Sequence, residues 1–337
     1  MTCSRLLPLI SLGLALTAVG CSQATPPSAS TGTPEAQSET QASAAGDRLK
    51  VVTTFPPMYW FTKAVAGDAA EVEVIVPPGA EVHEYQATPA AVQAIAQADV
   101  LVTNGLGLEE FLETTLRNAQ NANLKTVVAS EGIQALGEIS PTVLVADASS
   151  GAHDHDHEGE ATAEAHSHTA GNPHVWIDPV LAQQQITQIR DGLIAADPAN
   201  RSTYETNAAA YLQQVQQLHQ TYETRLKPLQ GCTFVTFHDA YPYLANRYQL
   251  QQVAVVQIPE DSLSPGDIQT TIDAVKRYDA KALLGEPGVD NKLLASLSQD
   301  LKLTLREVDP LESGPLDPQH YLTTMAQNLQ TLEAACQ

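Results

Sequence analysis

Five of the chain's ten histidines fall within 16 residues, as His153, His155, His157, His166 and His168, interleaved with Asp154, Asp156, Glu158, Glu160 and Glu164. Neutral imidazole nitrogen and carboxylate oxygen are ligands that Zn2+ and its transition-metal neighbours accept. The segment has no apolar anchor and is flanked by Ser149-Ser150-Gly151 and Ala170-Gly171. Ligands on so loose a stretch lose entropy when they gather round an ion. It therefore predicts fast, weak, multi-site metal capture, as against a merely solvated polar loop. Tight binding needs donors on fixed elements. Outside the loop stand His83, His174, His219, His238 and His320. His219 lies midway along a long amphipathic pattern and His320 in a C-terminal one, where packing or surface roles are expected. His83 follows Pro77-Pro78-Gly79, just beyond a strand-like run. His174 sits in Asn172-Pro173-His174-Val175-Trp176, before a helix start, and His238 ends another strand-like run. Three imidazoles at strand ends and loop edges, drawn from both halves of the chain, are what a metal site between two α/β lobes requires.

The elements that must carry those residues are legible from hydrophobic pattern. Residues 49–53, 72–76, 100–102 and 125–128 read as strands, with helical patterns at 90–98 and 109–118 between them. The alternation returns with strands at 233–237, 253–257, 282–284 and 303–308. Strands alternating with helices argue for parallel sheets. Between the two sets, Asp178-Pro179 opens one helix and Asp197-Pro198 a second, which continues to Lys227 without a glycine or proline between. Some 30 residues of helix make a rod of about 45 Å at ~1.5 Å per residue. Such a rod can join two lobes or simply pack. The expected fold is α/β: two lobes, each a small parallel sheet flanked by helices, joined by one long connector helix. The first lobe takes residues 47–178 and includes the His/acid-rich loop at 149–171. The connector takes 179–228 and the second lobe 229–337.

The ends and the charge set the location. Arg5 is the sole charge before Glu35, and an apolar run from Leu6 closes on Ala18-Val19-Gly20-Cys21. That is the length of a signal peptide, shorter than the ~20 residues of a membrane-spanning helix. Residues 1–21 resemble a lipoprotein leader in which Cys21 is lipidated; an ordinary secretory leader with Cys21 incidental is the alternative. Residues 22–46, rich in Ser, Thr, Ala, Pro and Gln, read as a disordered tether. The expected location is thus periplasmic or cell-surface, with the membrane reached through a lipid anchor alone. Lys and Arg number 17 against 39 Asp and Glu, a net charge of −22. So acidic a chain repels nucleic acid and attracts cations.

Several strings resemble one family. They are Pro77-Pro78-Gly79-Ala80-Glu81-Val82-His83-Glu84-Tyr85, the run from Ala98-Asp99-Val100 to Gly107-Leu108-Glu109, Asn172-Pro173-His174-Val175-Trp176-Ile177-Asp178-Pro179, the stretch from Tyr204 to Tyr211, and Phe237-His238-Asp239-Ala240-Tyr241. Together they resemble the cluster A-I metal-binding solute receptors of bacterial ABC importers, in the zinc branch with a His-rich loop. The likeness runs from residue 49 to the C-terminus. It implies His83, His174 and His238 as imidazole ligands and a carboxylate or water after a late strand, a place that Asp309 in Val308-Asp309-Pro310-Leu311 matches. Glu84 is a weaker alternative, and Glu286 in Gly285-Glu286-Pro287 is expected to support the site. In the manganese branch a carboxylate stands where His238 is, so nitrogen at this position favours Zn2+. Gln86 departs from the pattern, which often has an acidic residue after Tyr85.

With Cys3 in the leader and Cys21 taken by lipid, Cys232 and Cys336 remain, and two thiols in an oxidising compartment are expected to pair. Relatives also carry a disulfide in the second lobe. The resemblance implies a monomeric receptor that hands Zn2+ to a membrane permease with a separate ATPase subunit. Affinity should collapse below about pH 6.5, where imidazoles protonate. No catalytic residue is expected, since the chain lacks H-E-x-x-H, G-x-S-x-G and P-loop spacings. The other readings are a zinc hydrolase, which has Glu84 beside His83 in its favour, a surface adhesin or zinc-storage chaperone, and a manganese receptor.

Overall fold

The computed structural model describes residues 48–137, 171–256, 265–288 and 292–337. The leader, the tether, Cys21 and the five loop histidines lie outside the described residues. The described residues belong to one compact unit.

The first sheet is built from β1 (Leu49–Thr53), β2 (Ala70–Val74), β3 (Val100–Thr103) and β4 (Lys125–Val128), in the order β2-β1-β3-β4. The second is built from β5 (Thr233–His238), β6 (Gln251–Val256), β7 (Ala282–Gly285) and β8 (Thr304–Glu307), in the order β6-β5-β7-β8. Every pairing in both is parallel. Parallel strands demand crossovers and cover on both faces, which is why β3 and β7 read as largely apolar runs and why β3, β5 and β7 are buried throughout. The expected fold class is the observed one.

The helices are α1 (Pro56–Ala66), α2 (Pro89–Gln97), α3 (Leu112–Ala119), α4 (Pro179–Ala196), α5 (Arg201–Leu226), α6 (Pro242–Tyr248), α7 (Pro265–Arg277), α8 (Lys292–Leu301) and α9 (Pro318–Cys336). Several start on a proline whose fixed φ suits the first turn. The side chains of Thr88, Asp178 and Asp317 cap α2, α4 and α9 by accepting backbone N–H groups. Some boundaries differ from the pattern reading. The strand expected at 72–76 is assigned two residues earlier, although the Ile75 and Val76 amides still donate to Thr53 and Thr54. The helix expected from Glu109 begins at Leu112, because the Glu109 carboxylate accepts from the Thr54 hydroxyl and the Asn104 and Gly105 amides.

Helix α5, extended by short 3-10 turns at both ends, is the long rod. Tyr204, Ala208, Tyr211, Val215, Leu218, Tyr222 and Leu226 form one buried stripe at spacings of three and four. Near its start Asn207 donates to the Val65 carbonyl of α1. Further along, the Tyr211 and Tyr222 hydroxyls donate to the carbonyls of Pro318 and Met325 in α9, and His219 meets the Tyr248 hydroxyl of α6 at 3.0 Å. The stripe thus packs against both halves, and His219 is a packing residue. One apolar core runs from Val51 through Trp176 and Tyr222 to Leu332, with a smaller one inside the second lobe around Val235 and Leu283.

Cys232 and Cys336 form a disulfide with Cα atoms 5.8 Å apart. Among the described residues no helix is long and apolar enough to cross a membrane.

Candidate metal centre

In a parallel sheet the carboxyl ends of the strands are where side chains converge, above all where neighbouring strands leave in opposite directions. In the second sheet that point lies between β5 and β7. His238 is the last residue of β5 and Glu286 follows β7 directly, and the two are bonded twice. The His238 ring Nδ1 lies 2.7 Å from one Glu286 oxygen, and the His238 amide donates to the other at 3.0 Å. In the first sheet the same point lies between β1 and β3. There Asn104 donates to the Pro173 carbonyl and accepts from Gln185, which fixes the segment before His174. The Asn172 side-chain oxygen accepts from the His174 amide and lies 3.0 Å from its ring Nδ1. His83 enters from the loop after β2.

The three rings come together. Their centroids are 5.2 Å apart for His174 and His238, 5.4 Å for His83 and His174, and 6.1 Å for His83 and His238. Glu312 Oε1 lies 3.2 Å from His83 Nε2, 3.0 Å from His174 Nε2 and 3.4 Å from His238 Nε2. The four ligand atoms fall within 4.8 Å of one another, and this is the one such group among the described residues. Four ligands around Zn2+ at about 2.0–2.1 Å stand about 3.3–3.4 Å apart at the corners of a tetrahedron. Placing Nδ1–H of His238 on Glu286, and that of His174 on Asn172, leaves each Nε2 lone pair turned inward, the tautomer a metal ligand needs.

The fourth donor differs from the sequence reading. Asp309 is not in the cluster; its carboxylate accepts the Leu311 amide at 2.7 Å, closing a tight turn in which Leu311 takes the left-handed φ of 60°. That turn swings Glu312 inward, and the Trp176 indole holds it from the first lobe by donating to the Pro310 carbonyl at 2.8 Å. An Asp before a proline commonly spends its side chain on its own backbone, and this is the signal that could have moved attention three residues on. Glu84 is exposed and lies outside the cluster. Asn172 stands two residues before His174 in the same motif, but its bond to the His174 ring has no sequence signature. His320 packs on Trp60, with ring centroids 5.0 Å apart.

The electrostatics of the cluster suit a cation. Burial takes the His174 pKa down to about 3, overriding the pull of Glu312. Burial also opposes charge on His238, but Glu286 and Glu312 outweigh it and raise its pKa well above the imidazole range. For Glu312 burial is outweighed by His83 and His238, which hold its carboxyl well below the usual range. A cation entering the cluster therefore displaces a proton from His238. Metal affinity should fall as pH falls, starting above the ordinary imidazole range because the His238 pKa is raised. Calorimetry in buffers of different ionisation heat should register net proton release at neutral pH. Glu286→Gln, which weakens the hold on His238, should lower zinc affinity by roughly 10–100-fold in a chelator competition.

With this geometry in hand, comparison with known proteins is direct. The family model described as zinc-uptake complex component A, periplasmic (ZnuA), matches residues 51–335. The chain belongs to this family. Among ZnuA-family relatives, the high-affinity zinc uptake system protein ZnuA of Bacillus subtilis is 32% identical over 297 residues, covering 87% of this chain and 89% of that one. The zinc-binding lipoprotein AdcA of Streptococcus pneumoniae is 33% identical over 294 residues, 86% of this chain. The chain spans 56% of the length of that AdcA. The crystal structure of the Zn(II)-bound ZnuA-like domain of the same organism's AdcA matches with a TM-score of 0.69 and 30% identity, covering 86% of this chain and 99% of that one. The family is one of uptake components rather than of enzymes.

Proposed function

We propose that this protein is an extracytoplasmic zinc receptor that holds Zn2+ through His83, His174, His238 and Glu312 and delivers it to an ABC-type permease and its ATPase. The observation that carries this reading is the cage of three imidazole nitrogens around one carboxylate oxygen, 3.0–3.4 Å away. Three nitrogens and one oxygen form a set softer than Mn2+ prefers, so Zn2+ is the expected cargo. Four protein donors leave no open coordination position, which suits carriage rather than hydrolysis. The similarity to zinc uptake proteins supports delivery to a transporter over storage or adhesion.

The chain works as a monomer held at the membrane by lipid on Cys21, and the loop histidines 153–168 collect zinc weakly for the tight site. Metal analysis of protein purified without added zinc, with calorimetric competition between Zn2+ and Mn2+, tests the cargo. Growth of a deletion strain under zinc limitation tests delivery. Stoichiometric tight zinc and a zinc-specific growth defect are expected; preference for Mn2+ or normal growth would reject the reading. Deleting residues 153–168 should leave one tight site and remove the weak ones.

A further inference from the structure

Two cavities adjoin the ligand cluster, and each touches a different member of it. One, of about 670 Å3, has His83 on its wall with Glu84, Phe111 and Asn118. The other, of about 310 Å3, has Glu312 on its wall with Ala80, Glu81, Glu286 and Asp309. Building on the zinc-receptor reading, we propose that the ion enters and leaves through the second cavity, and that Glu312 is the first ligand met on entry and the last released.

Three observations favour that side. The first is charge: four carboxylate side chains border the smaller cavity against two, Glu84 and Glu110, in the larger. A small concave space walled by one sign of charge focuses the field on a dication and raises its local concentration. The second is ligand chemistry. His83 Nε2 lies against Glu312 Oε1 at 3.2 Å, so an ion arriving on the His83 side meets the ring and not its inward lone pair. A carboxylate can take an ion on either oxygen and pass it inward by rotation. The third is burial. The side chains of His83, His174 and His238 are 3%, 1% and 0% exposed while that of Glu312 is 7% exposed, so a mobile ion reaches the carboxylate before any of the rings.

A passage differs from a ligand in its kinetics. A plug in the route slows arrival and departure alike, whereas a damaged ligand speeds departure. Ala80→Phe narrows the proposed passage and Ala87→Phe the larger cavity. In stopped-flow zinc exchange against a chromophoric chelator, Ala80→Phe should slow association and dissociation together by about tenfold and leave Kd within about twofold. Ala87→Phe should change neither rate. Glu81→Gln, which removes one charge at an exposed position and keeps the side chain's shape, should lower the association rate by about two- to fivefold at low ionic strength, with the difference shrinking in salt. Unchanged rates in both Ala80→Phe and Glu81→Gln, or slowing by Ala87→Phe, would overturn the route. Failure of the unmodified protein to bind zinc would instead overturn the receptor reading, so the two are separable.

Discussion

His174→Ala should weaken zinc binding by about two to three orders of magnitude while leaving the far-UV circular dichroism of the metal-free protein unchanged. Zinc sites with four protein ligands are worth about 10–16 kcal/mol, or roughly 3–4 kcal/mol per ligand, which is about 10²–10³-fold in Kd. His174 is a demanding choice because it is buried, lies 3.0 Å from both Glu312 and Asn172, and cannot be replaced by a neighbouring side chain within the cluster. Glu312→Gln keeps an oxygen donor and should lose less. Calorimetry, or competition with a chelator where binding is too tight for direct titration, gives the number. Unaltered affinity in His174→Ala would remove the basis for placing the ion among these residues.

Removing the disulfide should produce the largest loss of stability with the least loss of function. The bridge closes a loop with a sequence separation of 104, for which the chain-entropy model gives up to about 4.7 kcal/mol. Cys232→Ser with Cys336→Ser is expected to cost about 3–5 kcal/mol and lower the melting temperature by about 10 °C. Zinc affinity should be retained. Cys232 precedes β5 at the end opposite His238, and neither sulfur belongs to the ligand cluster. A melting temperature insensitive to reductant would mean the bridge adds nothing to the folded state.

How much of this was readable in the chain depends on the range of the interaction concerned. The alternation of apolar runs and helical patterns gave both parallel sheets, because strands buried on both faces, such as 100–103, must be largely apolar. His83, His174 and His238 stood out because each follows a strand or precedes a helix, the positions from which parallel folds present side chains. Glu312 was hidden for a definite reason. Which of two carboxylates faces the site is decided by the left-handed Leu311 and by an indole from a residue 134 positions earlier in the chain, and neither leaves a local pattern. The shift of the strand expected at 253–257 to Gln251–Val256 has a similar origin: the Gln251 amide pairs with the Cys232 carbonyl across the sheet, extending the ladder before the apolar run begins.

The segment that presents Glu312 is also bound on its far side. Trp176 donates to Pro310, Trp60 donates to Pro315 and the Gly79 amide donates to the Ser313 hydroxyl, all from residues that precede α4. Covalently this stretch continues from β8, yet mechanically it is stitched to the opposite partner. A swinging-jaw picture, with each half keeping its own donors, would therefore misassign the carboxylate: pulling the halves apart must first unpick three seams or drag Glu312 away with the other jaw. Amide exchange along residues 309–315 should accordingly keep time with the loop bearing His83 rather than with β5.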